Sequence, residues 1–305
     1  TLPGCGGGTG LYLLDSLDPN DFRNYLAAGG KMLVMGQDAV GDQVMVANAL
    51  GPVDGLAPYM RGADATPIQD SIFGYAQPPM PSVVGVEEAN PFLQDIVADL
   101  SFAGDGAANQ LFVDEVDWIN YIDLDTQPLF EAVNTVPSVE NGYVGTRSSF
   151  EPTIERVQNP IEVPQEPVSW RVGYTAFGLE GVNDDTGYAT RSGLVDLLFE
   201  WLDDEVTVAF DQDSYFVPRD FALGDFSATM TSSLGGDAVY YRWDFGDGGD
   251  IEVTSGPTAS HQYQECGFYT AWVEAMDVYG HKAVGEPVPV EVCHHYYFPV
   301  MFRTE

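Results

Sequence analysis

The chain has 305 residues, of which 47 are acidic and 11 basic, so its formal net charge at pH 7 is −36. A hydrophobic share of 45% with 12% aromatic residues is typical of globular protein, and the length favours two domains. A strongly negative surface repels nucleic acid and anionic membranes, which excludes both as partners, and no apolar run approaches the about 20 residues of a membrane-spanning helix.

The opening segment, residues 1–10, reads TLPGCGGGTG. It lacks the Lys-Ser or Lys-Thr pair of a phosphate-binding loop, and no strand pattern precedes it. We therefore interpret it as a linker that follows an upstream domain. Its Cys5 is either free or paired with material outside this chain.

Residues 11–204 alternate helix and strand patterns, which predicts an α/β domain. Capping residues, apolar periodicity and Gly stops predict helices over residues 17–30, 41–51, 90–100 and 190–204. Uniformly apolar runs predict strands over residues 31–36, 82–86 and 170–182. Such runs are typical of a parallel sheet covered on both faces, so we expect a doubly wound, flavodoxin-like layer.

The turn after the strand KMLVMG is where an α/β enzyme displays catalytic side chains, and it offers Gln37 and Asp38. A nucleophile elbow would need Ser or Cys with a nearby His. No His occurs in residues 11–204, because the four histidines are His261, His281, His294 and His295. The sequence therefore predicts no catalytic residue of this type. A rival hypothesis is a hydrolase that uses carboxylates alone, such as Asp38 with Asp114 or Glu180.

A second acidic stretch covers residues 102–128 and contains Asp105, Asp114, Glu115, Asp117, Asp123 and Asp125. These carboxylates would suit Ca²⁺ or acid/base chemistry, but the D-x-D-x-D-G spacing of a calcium loop is absent. We interpret the stretch as a long, solvent-exposed loop anchored to the core by Trp118, Ile119 and Tyr121.

Short strand patterns separated by turn residues begin near Glu205 and continue to Cys293, which predicts an antiparallel β-sandwich over residues 205–293. Residues 294–305 are expected to be a C-terminal tail.

Cys266 and Cys293 lie at equal distances along the chain from a predicted turn at residues 279–280. A regular hairpin would therefore place them opposite each other, close enough for a disulfide. Pro287 and Pro289 could shift that register by one residue. The bridge would indicate an oxidising, extracellular compartment.

The most specific stretch is YYRWDFGDGGD, residues 240–250. Alternation places Tyr241, Trp243 and Phe245 on one face of a strand, and Tyr240, Arg242 and Asp244 on the other. A turn through Gly246, Asp247 and Gly248 follows, which Asp247 would cap. We assign structural roles to Trp243, Asp244, Gly246, Asp247, Gly248, Cys266 and Cys293. An alternative is that Asp244, Asp247 and Asp250 bind Ca²⁺; no other cofactor is indicated.

This stretch resembles the W-D-F-G-D-G signature of PKD domains. The later HQYQECGFYTAWVEAMDVYG is similar to that family's paired strands, through His261, Tyr263, Gly267 and Tyr269. The resemblance covers about residues 206–293. It implies an immunoglobulin-like β-sandwich that serves as a non-catalytic spacer or adhesion module in secreted and surface proteins.

The first half resembles the glutamine-amidotransferase-like (flavodoxin-like) domain of secreted bacterial subtilisin-like peptidases. The stretches YLAAGGKMLVMGQD, GAANQLFVDEVD and RVGYTAFGLEGVNDDTGYATRSGLVDLLFEWL carry this resemblance within residues 11–203. Enzymatic relatives need a Cys–His pair that is missing here, and no subtilisin triad motif occurs. The ending HHYYFPVMFR is similar to Tyr-Leu-Pro tails of proteins exported by filamentous green bacteria.

Together these features predict a non-catalytic accessory region of a secreted subtilisin-like peptidase. Its expected partners are an upstream catalytic domain of the same polypeptide and an extracellular protein or polysaccharide. Tyr240, Tyr269 and Trp272 are candidate ligand-binding residues, with core packing as the alternative. The other hypotheses are a cell-surface adhesin or structural segment and the carboxylate hydrolase.

Overall fold

The computed structural model describes residues 25–26, 28–36, 69–71, 82–100, 113–115, 126–133, 143–158, 169–218 and 224–293. The chain divides into two compact units. The N-terminal unit comprises Thr1–Glu151, Pro167–Asp204 and Val278–Gly280. The C-terminal unit comprises Pro152–Glu166, Glu205–Asp277 and His281–Glu305. The main change of unit therefore falls between Asp204 and Glu205.

Nine strands are described in the N-terminal unit: β1 Lys31–Met35, β2 Gln69–Ser71, β3 Ser82–Gly85, β4 Val97–Asp99, β5 Val113–Glu115, β6 Thr126–Pro128, β7 Phe130–Val133, β8 Gly145–Phe150 and β9 Trp170–Thr175. They form a sheet of order β1-β9-β8-β6, a second of order β4-β3-β7, and the pair β2-β5. Strand β1 runs parallel to β9, whereas β8 is antiparallel to both β9 and β6.

Two α-helices are described in the chain, α1 Ile154–Gln158 in the C-terminal unit and α2 Arg191–Asp203 in the N-terminal unit. Helix α2 confirms the prediction for residues 190–204. Thr190 caps it by accepting a hydrogen bond from the Gly193 amide at 3.2 Å. The helix packs against β1 and β9. Its buried side chains recur at helical spacing and are Leu194, Leu198, Trp201 and Leu202.

Among the described strands of the N-terminal unit, the expected parallel pairing is present only between β1 and β9. The run at residues 31–36 forms β1. Of the strand predicted over residues 170–182, only Trp170–Thr175 is strand, almost entirely buried, and a 3₁₀ turn follows at Leu179–Gly181. However, β8 enters the sheet antiparallel beside β9, which gives a mixed sheet instead of a doubly wound parallel one. A continuous apolar run indicates burial on both faces but does not fix the direction of the neighbouring strand.

The helix predicted over residues 90–100 is wrong. A single 3₁₀ turn spans Pro91–Leu93, Asp95 has a φ of 59°, and β4 then pairs antiparallel with β3. The Asn90 side chain does not cap a helix, because its amide donates to the Val86 and Pro128 carbonyls and its oxygen accepts from Arg147 Nε. The distant partners Pro128 and Arg147, together with Val86, replace the capping bond that the sequence pattern suggests.

Only a small part of the two remaining predicted helices lies among the described residues. The first ends as expected at Gly29, whose φ is 86°, with Leu26 buried and Tyr25 half exposed. Its earlier residues, and the helix expected over residues 41–51, lie outside the described residues. No helix in the described part of the chain combines the length and hydropathy needed to cross a membrane.

Nine further strands build the C-terminal unit: β10 Val206–Phe210, β11 Tyr215–Val217, β12 Gly224–Ser232, β13 Ala238–Asp244, β14 Glu252–Thr254, β15 Thr258–His261, β16 Gly267–Asp277, β17 Lys282–Val284 and β18 Val288–Val292. One sheet has the order β10-β12-β15 and the other β11-β18-β16-β13-β14, with β17 also on β16. Aromatic and small apolar side chains fill one core between them, centred on Phe226, Trp243 and Val273.

The sandwich is antiparallel, as expected, except at one edge. Strand β11 runs parallel to β18, with Phe216 opposite Glu291. The chain leaves β10 in the first sheet, passes through Asp211–Ser214 and joins the second sheet beside its last strand. This change of sheet sets the parallel pairing, since β11 and β18 then point the same way.

Candidate functional site

Strand β13 carries the first part of the specific stretch into the turn. Tyr241, Trp243 and Phe245 are buried, with Trp243 fully inaccessible to solvent, whereas Arg242 and Asp244 are half-buried on the opposite face. The Trp243 indole donates to Thr254 Oγ1 at 2.9 Å. The polar atom of the largest core side chain therefore has a partner.

The turn after β13 is closed by aspartate side chains that accept backbone hydrogen bonds. Asp244 Oδ1 accepts from the Gly246 amide at 2.8 Å, and Asp247 Oδ1 accepts from the Gly249 amide at 3.1 Å. Gly246 has a φ of 74°, and a Cβ there would lie 2.2 Å from the Thr270 carbonyl oxygen. Gly248 has a φ of 82° with open space around it. Glycine is thus required at both positions for conformation, and at Gly246 for space as well.

Asp247 also reaches His261 on the neighbouring sheet. Its Oδ2 lies 2.8 Å from His261 Nε2, and the imidazole stacks on Phe245 with ring centroids 4.1 Å apart. Burial alone would raise the pKa of Asp247, but the hydrogen bonds from His261 and the Gly249 amide outweigh it and hold that pKa below its usual range. The charged carboxylate is therefore the form that this turn favours.

Tyr263 closes the other side of this aromatic group. Its hydroxyl donates to the Phe245 carbonyl at 3.1 Å, and its ring meets His261 edge-on. Burial raises the pKa of the Tyr263 phenol far above its ordinary value, and the nearby Asp247 charge adds to this. The phenol thus serves as a neutral donor in the core.

The alternative Ca²⁺ assignment concerned Asp244, Asp247 and Asp250. Both oxygens of Asp244 and both of Asp247 are already engaged, since Asp244 Oδ2 also accepts from Gln158 Nε2 at 2.6 Å. Asp250 is exposed beyond the turn. The geometry of the first two carboxylates is that of hydrogen-bonded turn caps.

The disulfide prediction is confirmed. Cys266 and Cys293 are bonded, with their Cα atoms 5.2 Å apart, and the adjacent residues Gly267 and Val292 are paired across β16 and β18. The register does shift by one residue, between β17 and β18, where Glu274 faces Val284 but Ala271 faces Val288. The shift falls at residues 285–287, before β18 begins. It places Cys266 opposite Cys293, whereas the β17 register would place it opposite Val292.

Helix α1 is fastened to the outer face of β13 and β16 by an ion-pair network. The buried Glu274 carboxylate accepts from Arg242 Nη1 at 2.9 Å and from the Ile154 amide at 3.0 Å. Arg242 also pairs with Glu155, and this hydrogen bond lowers the pKa of the Glu155 carboxyl. Sequence reasoning missed this contact, because its partners are more than eighty residues apart.

The three aromatic residues predicted to bind a ligand are all half-buried. Tyr240 directs its hydroxyl to Glu274 Oε1 at 3.4 Å, and Tyr269 stacks on Tyr263 with centroids 4.6 Å apart. Trp272 lies opposite Asp244 across β16 and β13. These positions fit packing against the sheet more closely than an open binding surface.

Among the described residues of the sandwich, the exposed aromatic side chains are Phe216 and Phe268, with 52% and 77% of their surfaces accessible. Sequence reasoning missed both as surface residues. The alternation Tyr215, Phe216, Val217 contained the signal for the first, because the outer two side chains are buried. Both phenylalanines are in register with Glu291 of β18.

The structure does not place the carboxylates of the hydrolase hypothesis in one site, because one of them is not among the described residues and the other two belong to different elements. Asp38 lies outside the described residues, as do Gln37, Asp105, Asp117, Asp123, Asp125, Cys5, His294 and His295. Asp114 and Glu115 belong to β5, where Asp114 is opposite Asp70 of β2. Glu180 is exposed in the 3₁₀ turn Leu179–Gly181.

A second buried ion pair lies in the N-terminal unit. Arg171 Nε donates to Glu151 Oε1 at 2.7 Å, and Arg171 Nη1 donates to the carbonyls of Leu202 and Asp204 at 3.0 and 2.5 Å. The guanidinium thereby satisfies carbonyls at the C-terminal end of α2. These contacts connect β9 to the C-terminal end of α2.

Comparison with known proteins agrees with the geometry of the sandwich. The PKD domain family model matches residues 222–290. No curated protein matches the chain.

Three solved structures illustrate the similarity, each to less than a third of this chain. Fibronectin(III)-like modules of Clostridium thermocellum CbhA share 20% identity over 28% of this chain and 94% of theirs, with a TM-score of 0.23. The PKD domain of human KIAA0319 shares 16% identity over 32% and 88%, with a TM-score of 0.25. The PKD1 domain of the Vibrio cholerae metalloprotease PrtV shares 21% identity over 29% and 98%, with a TM-score of 0.21.

The family match covers the turn Gly246–Gly248, the core Trp243 and the pair Asp247–His261. PKD domains are typical of extracellular proteins, and the cross-strand disulfide of this sandwich suits such a compartment. The C-terminal part of this chain, at residues 222–290, matches the PKD domain family.

Proposed function

We propose that this chain is a non-catalytic accessory region of a secreted peptidase, in which the sandwich binds substrate or a surface and spaces the enzyme from it. The observation that carries the proposal is the PKD domain at residues 222–290, closed by the Cys266–Cys293 bridge. The absence of His from residues 11–204 supports a non-catalytic N-terminal region, because that region has no imidazole to activate a nucleophile.

The proposal includes a subtilisin-like parent and an amidotransferase-like origin for the N-terminal unit. Both rest on the sequence resemblance of residues 11–203. The parallel pair β1–β9, with α2 packed against it, is the part of the unit that such an origin would explain. The partner in that case is an upstream catalytic domain of the same polypeptide.

The test is retention of the purified 305-residue chain on insoluble collagen, chitin and cellulose, with an inert matrix as the control. We expect saturable retention on at least one of the three and no turnover of ester or amide substrates. Absence of retention on every matrix would overturn the binding role. Turnover that depends on one carboxylate, such as Asp38 or Glu180, would overturn the non-catalytic assignment.

A further inference from the structure

Three side chains form a row across the outer face of the second sheet of the sandwich. Phe216 of β11 and Phe268 of β16 are both opposite Glu291 of β18, which runs between them. Paired residues of neighbouring strands share one face, so both rings flank the carboxylate. The strands of the two phenylalanines are about 10 Å apart, since two strand spacings separate them. We call these three residues the aromatic row.

The aromatic row contains the two exposed aromatic side chains described on this sheet. Phe268 is 77% and Phe216 52% accessible, although each is flanked by a buried or half-buried neighbour on its strand. Exposed apolar side chains that lie on one sheet face and are rimmed by polar residues are typical of interaction surfaces. The neighbouring exposed side chains Asp213 and Glu265 are acidic.

The charge of this surface selects the class of partner. The chain carries a net charge of −36, which attracts cations to its surface and repels anionic polymers. The face of an aromatic ring attracts an ammonium or guanidinium group within about 6 Å of its centre. A carboxylate between two rings adds an ion pair, and its two oxygens together accept about four hydrogen bonds, so it can serve more than one donor. A neutral sugar would gain nothing from the charge.

We infer that the aromatic row binds a Lys or Arg side chain of a basic extracellular polypeptide. The cation would lie over Glu291 with Phe216 and Phe268 on either side. This inference rests on the proposed binding function and names the chemistry of its partner. It also assigns the contact to residues other than the half-buried Tyr240, Tyr269 and Trp272.

The test measures the dissociation constant of a peptide in which Arg alternates with Gly and Ser, by calorimetry on the 305-residue chain at two NaCl concentrations. We expect Phe216→Ala and Phe268→Ala each to weaken binding about three- to fivefold. Phe268→Leu should lose nearly as much, because leucine keeps the apolar surface but lacks the ring face. Glu291→Gln should weaken binding by about two- to fivefold and reduce its dependence on salt.

Matched variants and ligands make each outcome decisive. Phe199→Ala and Val253→Ala remove apolar side chains that are also exposed, and both should leave the dissociation constant unchanged. Equal binding of the peptide by all variants would show attraction by net charge alone and overturn the inference. Binding of chito- or cello-oligosaccharides that depends on the row would also overturn it, while leaving the proposed function intact. If variants of the aromatic row are retained on the matrices as well as the wild type is, the inference is overturned and the proposed binding function still stands.

Discussion

At the scale of single residues, two ion pairs differ in their surroundings. The Arg171–Glu151 pair is almost inaccessible, with side chains 7% and 1% exposed, whereas Lys31 and Asp203 pair at 3.4 Å with 37% and 72% exposure. Removing one member of a buried pair leaves a charge in a poorly solvated place, and removing one member of an exposed pair does not. Because both pairs lie in the N-terminal unit, variants of the two pairs compare the cost of a buried unpaired charge with that of an exposed one.

Arg171→Met is therefore expected to lower the free energy of unfolding by about 3–5 kcal/mol. The buried Glu151 carboxylate loses its counter-charge, and the carbonyls of Leu202 and Asp204 lose a donor. Lys31→Met, the control, should cost less than about 1 kcal/mol. Urea unfolding of both variants measures the difference, and equal costs would contradict this account.

The Asp247–His261 pair predicts a dependence of stability on pH. The pKa of folded Asp247 is lower than that of the unfolded chain, so its stabilisation is complete above the unfolded value near 4 and is lost as pH falls through the folded value. Asp247→Asn should cost about 1 kcal/mol at pH 7. The difference between wild type and variant should shrink below about pH 4. A difference that is constant from pH 7 to pH 2.5 would argue against the charged carboxylate as its source.

At the scale of elements, the turn that joins β13 to β14 depends on two glycines with different surroundings. Both have positive φ, but only Gly246 lies against the backbone of β16, where a Cβ would meet Thr270. The turn therefore reverses the chain and also packs against β16 through Gly246.

Gly248→Ala should cost about 1–2 kcal/mol from the left-handed conformation alone. Gly246→Ala adds a clash with the Thr270 backbone and should cost about 3 kcal/mol or more. Thermal unfolding of the two variants tests this order. A Gly246→Ala variant as stable as Gly248→Ala would show that β16 moves aside at no cost.

Some elements could be predicted from local sequence and others could not. Alternation in residues 240–245 and the capped pattern of residues 190–203 depend on neighbours a few residues away, and both lead to the observed structures. Residues 90–99 resemble a capped helix, but Asn90 is engaged by Arg147 from a distant strand, and β4 pairs with β3. The direction of β8, the Arg242–Glu155 pair and the exposure of Phe268 likewise follow from tertiary neighbours that no local pattern specifies.

At the scale of the whole molecule, the disulfide is the covalent constraint described within the C-terminal unit. It joins residues 27 positions apart and encloses β16, β17 and β18 in one loop. Closing a loop of this length restricts the unfolded chain and stabilises the folded one by about 3–4 kcal/mol in the chain-entropy model.

Replacing both Cys266 and Cys293 by Ser should therefore lower the free energy of unfolding of the sandwich by about 3–4 kcal/mol. Cys5→Ser is the control and should leave this transition unchanged. Dithiothreitol should lower the stability of the wild type but not that of the double variant. Equal sensitivity of both proteins to the reductant would show that another thiol or disulfide is responsible.

The parallel pairing of β11 with β18 determines how the sandwich responds to tension. When tension draws two such strands apart along their length, every hydrogen bond between them is loaded in shear at the same moment, instead of opening one by one as in a zipper. The bridge at Cys293 anchors the end of β18 to β16, so the pull spreads into the central strand. In the proposed spacer role, this arrangement would resist stretching of the sandwich.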